Sequence, residues 1–233
     1  MHEHESFTWI SLIPGLNHLP NHVVMTLLVA ILLVICGGMA TAILRRKKDP
    51  TIPEGKLTFQ NFFDIYAENL YQMCEGVLGE HEAEIYFPVI STLFTFILFS
   101  NLFGLIPGFL PPTDNINVTL AAGAFVFIYY NVQGIKAHGF GYIKHFFGPV
   151  WYLAPLMLVI ELMGHAFRPL SLALRLRGNI QGDHVVLGVM SSLVPYGLPV
   201  VFMFLGLFVA LVQAYVFSLL TMVYISLSTA HDH

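Results

Sequence analysis

Five stretches of the chain are apolar and long enough, or nearly so, to cross a bilayer as helices, which takes about 20 such residues. They cover residues 23–44, 87–107, 118–135, a stretch that begins at 149, and 199–227. The pattern predicts an all-α integral membrane protein with about five transmembrane helices in a single membrane domain. Residues 87–135 would form a transmembrane hairpin, and residues 149–228 would form two long helices.

Basic residues orient these spans. Arg45 to Lys48 directly follow the first span, so the positive-inside rule places that end in the cytoplasm. Five crossings then put residues 1–22 and the loops 108–117 and 191–198 outside, and none of these contains Lys or Arg. The loop 136–144 carries two Lys and returns inside. We therefore expect a periplasmic N-terminus and a cytoplasmic C-terminus.

A further helix is predicted between the first two spans, over residues 57–80. Aromatic and aliphatic residues recur at helical spacing from Phe59 to Val77, while Asp64, Glu68 and Glu75 occupy the other face. Such an amphipathic helix is typical of the membrane interface. Its acidic face leaves two other interpretations open, namely a contact with a protein partner and a solvated helix that covers the end of the bundle.

Composition supports the membrane assignment and excludes other classes. Charged residues make up 10% of the chain, against roughly 25% in average soluble domains, and hydrophobic residues make up 56%. The net charge of −4 gives no strong field. An ordinary soluble enzyme, a disordered protein and a basic nucleic-acid binder are excluded. Cys36 and Cys74 form no metal-binding motif, no nucleotide motif occurs, and no cofactor or metal site is predicted.

Charges embedded in the fourth span carry the functional signal. Glu161, Arg168 and Arg175 are seven residues apart, so they share approximately one stripe of a helix, and His165 lies within reach of the first two. His184 falls on the opposite face from Arg175. An Arg at mid-bilayer costs about 2.5–3.5 kcal/mol on insertion scales, which makes it a functional candidate. Arg keeps its proton and can act as a barrier, whereas His titrates near neutral pH and can relay protons.

The last span carries a polar stripe among its apolar residues. Gln213 and Tyr224 lie eleven residues apart on nearly the same helical face, together with Ser218, Thr221 and Ser228.

Structural interpretations of the same residues are also open. The arginines at 168, 175 and 177 could extend their guanidinium groups to lipid head groups. Gln213 could form a hydrogen bond between helices without a role in transport. Asp183 and His184 could form an exposed helix end, although the apolar residues that follow them favour an embedded position.

Four motifs, in chain order, resemble subunit a of the F-type ATP synthase. The signature of that family resembles residues 169–179, PLSLALRLRGN, and its last helix resembles residues 213–224, QAYVFSLLTMVY. Its middle hairpin resembles residues 101–107, NLFGLIP, and residues 117–120, NVTL. The resemblance covers nearly the whole chain.

The resemblance implies a stator subunit that is not catalytic on its own. Such a subunit forms two offset proton half-channels against a rotating ring of c subunits and couples proton flow to ring rotation and ATP synthesis. Its last two helices are steeply tilted against the ring. The implied partners are the c-ring, b-type peripheral stalk subunits, the catalytic head and membrane lipid, with no nucleic acid. A short N-terminus without a transit peptide favours the bacterial plasma (inner) membrane, and an organelle-encoded origin is the open alternative.

The resemblance also assigns residues. Arg175 aligns with the family's essential arginine, which would face the ring carboxylate, favour its ionised form and block a direct leak between the half-channels. Positions implicated in the proton path align with Glu161, Asn179, His184 and Gln213. The candidates that complete the proton-translocation set are Asp183, His165, Tyr224 and Asn101.

This sequence departs from the family pattern in two places. Arg177 stands where the family often has an apolar aromatic residue. His184 stands where many bacterial members have Glu, and the His that often accompanies that Glu is replaced here by Gly206. The relay group has therefore changed type.

Two other functions are open from the sequence. A secondary transporter or ion-channel subunit would use the intramembrane Arg to bind an anion, but the chain has no inverted repeat. A structural anchor subunit would leave Arg175 and the polar stripe without a purpose.

Overall fold

The computed structural model describes residues 20–45, 59–106, 108–139, 154–194 and 197–229. Within these ranges the long elements are all helices and there is no strand, so the predicted all-α class is confirmed. In chain order the helices are α1 (Asn21–Arg45), α2 (Phe59–Leu78), α3 (Glu80–Phe103), α4 (Ile116–His138), α5 (Ala154–Leu193) and α6 (Leu198–Thr229). A 3-10 turn at Pro112–Asp114 lies between α3 and α4.

Five helices are long and apolar enough to cross a membrane, namely α1, α3, α4, α5 and α6. This confirms a multi-pass membrane protein. Parts of the predicted topology lie outside the described residues: most of the N-terminal segment (1–19), the basic residues 46–48, the start of the fourth span (149–153) and the last four residues. The orientation of the termini accordingly stays a prediction.

The last two helices are much longer than the membrane core is thick. α5 has 40 residues and α6 has 32. At about 1.5 Å per residue their lengths are roughly 60 and 48 Å, against about 30 Å of hydrocarbon. Each must therefore tilt or project beyond the hydrocarbon, in keeping with the predicted long helices.

α3 begins two turns earlier than the predicted span, at Glu80 rather than near residue 87. Gly79, at φ 84°, separates it from α2 in a backbone conformation that favours glycine. Glu80 and Glu82 lie in the first turn, where the helix dipole stabilises negative charge. A search for uncharged stretches misses these turns because they contain acidic residues. Those residues are favourable there because they lie at a helix start.

In the described part of the chain, α3 is the most buried of the five long apolar helices. It packs against α2 and α6, while α5 packs against α4 and α6. The Tyr66 hydroxyl and the Thr95 hydroxyl are hydrogen bonded at 2.9 Å, which ties α2 to α3. Part of α2 stays uncovered, since Phe62 is 62% exposed. The buried core includes Leu70, Cys74, Ile90, Ile97, Tyr130, Leu172, Leu176, Phe217, Met222 and Ile225.

A glycine allows α4 to approach α5 closely. A Cβ at Gly123 would lie 2.7 Å from the carbonyl oxygen of Pro169, which is closer than real Cβ atoms come to backbone. Pro169 lies inside α5 and has no N–H to donate to the preceding turn. The Gly123–Pro169 contact brings α4 close to α5 at a point between Arg168 and Arg175.

Candidate functional site

Arg175 lies near the middle of α5 with its side chain exposed. The adjacent Leu174 is exposed as well, at 50%. Among the residues that the structure describes, no acceptor forms a hydrogen bond or ion pair with its guanidinium. A cation on the apolar surface of a membrane-spanning helix is costly, and in membrane proteins such charges pair with a partner group.

Asn179 and Gln213 join the two long helices one turn beyond Arg175. Asn179 Nδ2 donates a hydrogen bond to Gln213 Oε1 at 2.6 Å. Gln213 is only 3% exposed, so this bond is made at the contact between α5 and α6. The structure thus brings together two sequence-predicted candidates from different helices, immediately beside Arg175.

Three further candidates line one small cavity. Asn101, Asp183 and His184 meet around a volume of about 30 Å³, together with residues of α3, α5 and α6. A cavity needs about 10–15 Å³ to hold a water molecule, so this one has room for water beside groups that can exchange protons. Asp183 and His184 are half-buried, not an exposed helix end.

The glycine at 206 allows α6 to pack tightly beside this cavity. A Cβ on Gly206 would lie 2.9 Å from Leu105 Cδ2 and 3.9 Å from Asp183 Oδ2. A larger side chain there would have to displace Leu105. The acidic group beside position 206 is thus supplied by α5, through Asp183, which is the residue next to His184.

Asn101 is held by two polar contacts. Its Oδ1 accepts a hydrogen bond from the Thr113 hydroxyl at 2.7 Å, and its Nδ2 donates to the carbonyl oxygen of Ala210 at 3.5 Å. Both Asn101 and Thr113 are buried. The sequence analysis missed Thr113, whose position in a Pro-rich connection gives no periodic signal.

A second polar cluster lies on the other side of Arg175 along the chain. The Arg168 guanidinium carbon is 6.0 Å from the ring centroid of Tyr130 and 5.5 Å from that of Tyr224. His165 is buried, and its ring centroid is 5.9 Å from that of Tyr130. Arg168 is thus held between aromatic rings of α4 and α6, within the distance at which cation–π attraction acts.

Tyr130 is a member of this cluster that the sequence analysis missed. Its side chain is 1% exposed, and its ring centroid lies 6.0 Å from the guanidinium carbon of Arg168. The only signal in the sequence is a tyrosine pair at positions 129 and 130 within the third predicted span.

Two predictions about the charged stripe of α5 have different outcomes. The backbone of Glu161 lies in α5, but its side chain is outside the described ones, so its predicted contact with His165 stays a prediction. Arg168 and Arg175 do not share one environment, because the first is half-buried between rings and the second is exposed. In the described part of the chain, no group of three or more His, Cys, Asp or Glu side chains is placed to hold a metal ion.

Comparisons with known proteins agree on one family. The family described as ATP synthase A chain matches residues 23–226. The chain is 44% identical over 229 residues to ATP synthase subunit a of Bdellovibrio bacteriovorus, covering 98% of this chain and 100% of that protein. It is 47% identical over 213 residues to that of Trichlorobacter lovleyi (91% and 89% covered) and 46% over 208 to that of Geobacter sulfurreducens (88% and 87%).

Proposed function

Because the chain belongs to the ATP synthase subunit a family, we propose that it forms two proton half-channels against the c-ring and couples proton flow to ring rotation. Members of this family are the proton-translocating subunit of the membrane sector of the ATP synthase. No observation favours a secondary transporter, an ion-channel subunit or a purely structural anchor.

The observation that carries the proposal is the arrangement of polar groups on either side of Arg175 along α5. Arg168 lies seven residues before it and His184 nine residues after it. At about 1.5 Å per residue these are roughly 10 and 13 Å along the helix axis, in opposite directions. An exposed cation thus separates two polar clusters, as expected of two half-channels that never join.

The proposed outer half-channel begins at the cavity of Asn101, Asp183 and His184. Carboxylate and imidazole groups beside water can accept and release protons. The Asn179–Gln213 contact continues the polar surface from that cavity to Arg175. Protons from the outer side would reach the ring carboxylate along this path.

The proposed inner half-channel contains His165, Tyr130 and Tyr224, with Glu161 one turn before His165. Arg168 would keep its charge at every physiological pH and hold the two tyrosine rings in place. A proton that has travelled around on the ring would leave through this cluster to the cytoplasmic side.

Arg175 would act by charge and not by proton transfer. Its guanidinium stays protonated, so it favours the ionised form of a ring carboxylate and cannot carry a proton past itself. Each proton that crosses 100 mV makes about 2.3 kcal/mol available, and a direct leak would waste it. Arg175 and the adjacent Leu174 are both exposed, which suits an apolar rotating partner that carries the counter-charge.

The remaining assignments follow from membership of the complex. We infer that the subunit contacts the c-ring, the b-type peripheral stalk and lipid, and serves the catalytic head without catalysing ATP chemistry itself. Its place would be the bacterial plasma (inner) membrane, with the N-terminus periplasmic and the C-terminus cytoplasmic.

The test is ATP-driven proton pumping in inverted membrane vesicles, with Arg175→Ala compared with wild type. Pumping should be abolished while the complex still assembles, because the ring carboxylate loses its counter-charge. After removal of the catalytic head, passive proton leak should persist or rise, since the barrier between the half-channels is gone.

Leu174→Ala is the matched control, because it shortens an exposed neighbour on the same turn without changing charge. It should retain most of the pumping. Normal coupled pumping by Arg175→Ala would refute the proposed role and would identify Arg175 as a residue that only reaches for head groups.

A further inference from the structure

Arg177 contacts a different part of the molecule from Arg175. Two residues along a helix correspond to about 200°, so the two side chains leave α5 on opposite faces. Arg177 is half-buried, and its Nε donates a hydrogen bond to the backbone carbonyl oxygen of Asp114 at 3.2 Å. Asp114 belongs to the segment between α3 and α4, so Arg177 joins that segment to the middle of α5.

The segment 108–115, here called the α3–α4 connection, is packed into the bundle. Pro111, Pro112 and Thr113 are buried, and the Thr113 hydroxyl holds Asn101 at 2.7 Å. Non-helical backbone within a membrane protein needs protein or water partners for its polar groups. Arg177 supplies such a partner, and it does so with a charged donor, which makes a stronger hydrogen bond than a neutral one.

The same connection lies against Gly104, one of the residues that line the cavity of Asp183 and His184. A Cβ at Gly104 would lie 2.9 Å from both Pro111 Cβ and Pro111 Cγ, and 3.1 Å from His184 Nε2. Pro111 and His184 therefore both pack closely against Gly104. A movement of the α3–α4 connection away from α5 would change the space beside His184.

We propose that Arg177 is a positioning residue of the proton path: it holds the α3–α4 connection against α5 and so sets how water reaches Asp183 and His184. The proposal deepens the function proposed above and rests on it. It gives a purpose to the cation that departs from the family pattern.

The test measures access of water to the cavity in the intact ATP synthase in membranes. Leu187 lines the cavity, so Leu187→Cys in a Cys36→Ser, Cys74→Ser background introduces a thiol there for a water-soluble thiol reagent. Adding Arg177→Met should speed labelling about tenfold, the scale of a lost hydrogen bond to a charged group. Arg177→Lys, which retains a charged donor, should restore much of the wild-type rate.

A second introduced thiol distinguishes a local effect on the α3–α4 connection from a general loosening of the helix bundle. Ile90 is fully buried in α3 away from the cavity, so labelling of Ile90→Cys should not change with Arg177→Met. Equal acceleration at both positions, or no acceleration at Leu187→Cys, would overturn the proposal. If Arg177→Met does not assemble, Thr113→Val loosens the same connection from its other side and should also speed labelling, whereas Thr113→Ser should not.

The two proposals fail in different ways. If Arg175→Ala abolishes pumping but Arg177→Met leaves labelling at Leu187→Cys unchanged, the positioning role is wrong and the half-channel function stands. If Arg175→Ala pumps normally, the half-channel function fails whatever the labelling shows.

Discussion

Asn179 and Gln213 are joined by a 2.6 Å hydrogen bond across the contact of the two long helices. The bond places two amides one helical turn from an arginine that has no partner among the described residues. Amides cannot titrate near neutral pH, so this pair can orient water and the arginine without holding a proton of its own. Its contribution should be geometric, and it should depend on both partners together.

We expect the Asn179–Gln213 pair to act as a unit. Asn179→Leu and Gln213→Leu should each slow ATP-driven proton pumping, and the double variant should be little worse than the poorer single one. A net hydrogen bond is worth about 0.5–1.5 kcal/mol, which sets the size of the expected coupling. Initial pumping rates of the wild type, the two single variants and the double variant complete the double-mutant cycle. Effects that simply multiply would show that the two amides act independently.

The aromatic rings around Arg168 should stabilise the assembled complex. Tyr224→Leu removes a ring that lies 5.5 Å from the guanidinium and should lower stability by about 0.5–2 kcal/mol, the range of cation–π attraction. Tyr224→Phe keeps the ring and is the control. The measurement is the fraction of complex that remains assembled after heating in detergent. Equal losses in both variants would assign the stabilisation to the hydroxyl instead of the ring.

Gly123→Ala should disrupt the contact of α4 with α5. The added methyl would lie 2.7 Å from the Pro169 carbonyl oxygen, and overpacking of this kind costs about 1–3 kcal/mol. Gly37→Ala is the control, because a methyl added there would have no atom of another described helix within 4 Å. The amount of subunit retained in the membrane reports the outcome. Normal retention of Gly123→Ala would mean that the two helices can separate without cost.

Cys74 should resist thiol reagents at neutral pH. Burial raises the pKa of its thiol from 9.0 to about 11, so the neutral form persists and labelling should rise only as the pH approaches 11. At pH 8 the reactive thiolate should be about a hundredfold rarer than for an ordinary cysteine. Labelling rates are measured against pH in a Cys36→Ser background, with denatured protein as the reference. Rapid labelling at pH 8 would contradict the packing of α2 on α3.

The sequence was sufficient for the fold class because apolar length is a strong and local signal. The predicted spans overlap α1, α3, α4, α5 and α6, and the largest error came at Glu80, where acidic residues begin a helix that then enters the apolar region. Hydropathy does not report that a helix start tolerates negative charge.

The candidate site was predictable where residues lie on regular helices. Asn179 and Gln213 were both candidates, and the structure joins them because each faces the contact between neighbouring helices. Thr113, Pro111 and the link from Arg177 to Asp114 were not predictable. They depend on how an irregular connection folds back, and no periodicity in the sequence encodes that.

The position of Arg175 along α5 has an electrical consequence. It lies 21 residues from one end of the helix, Ala154, and 18 from the other, Leu193. If the proposed path follows this helix, the voltage across the membrane divides about equally between the two halves. Each half would then supply roughly half of the 2.3 kcal/mol that 100 mV gives per elementary charge. Membrane potential would accelerate proton entry and proton exit to similar extents, so neither half alone would set the response of rotation to voltage.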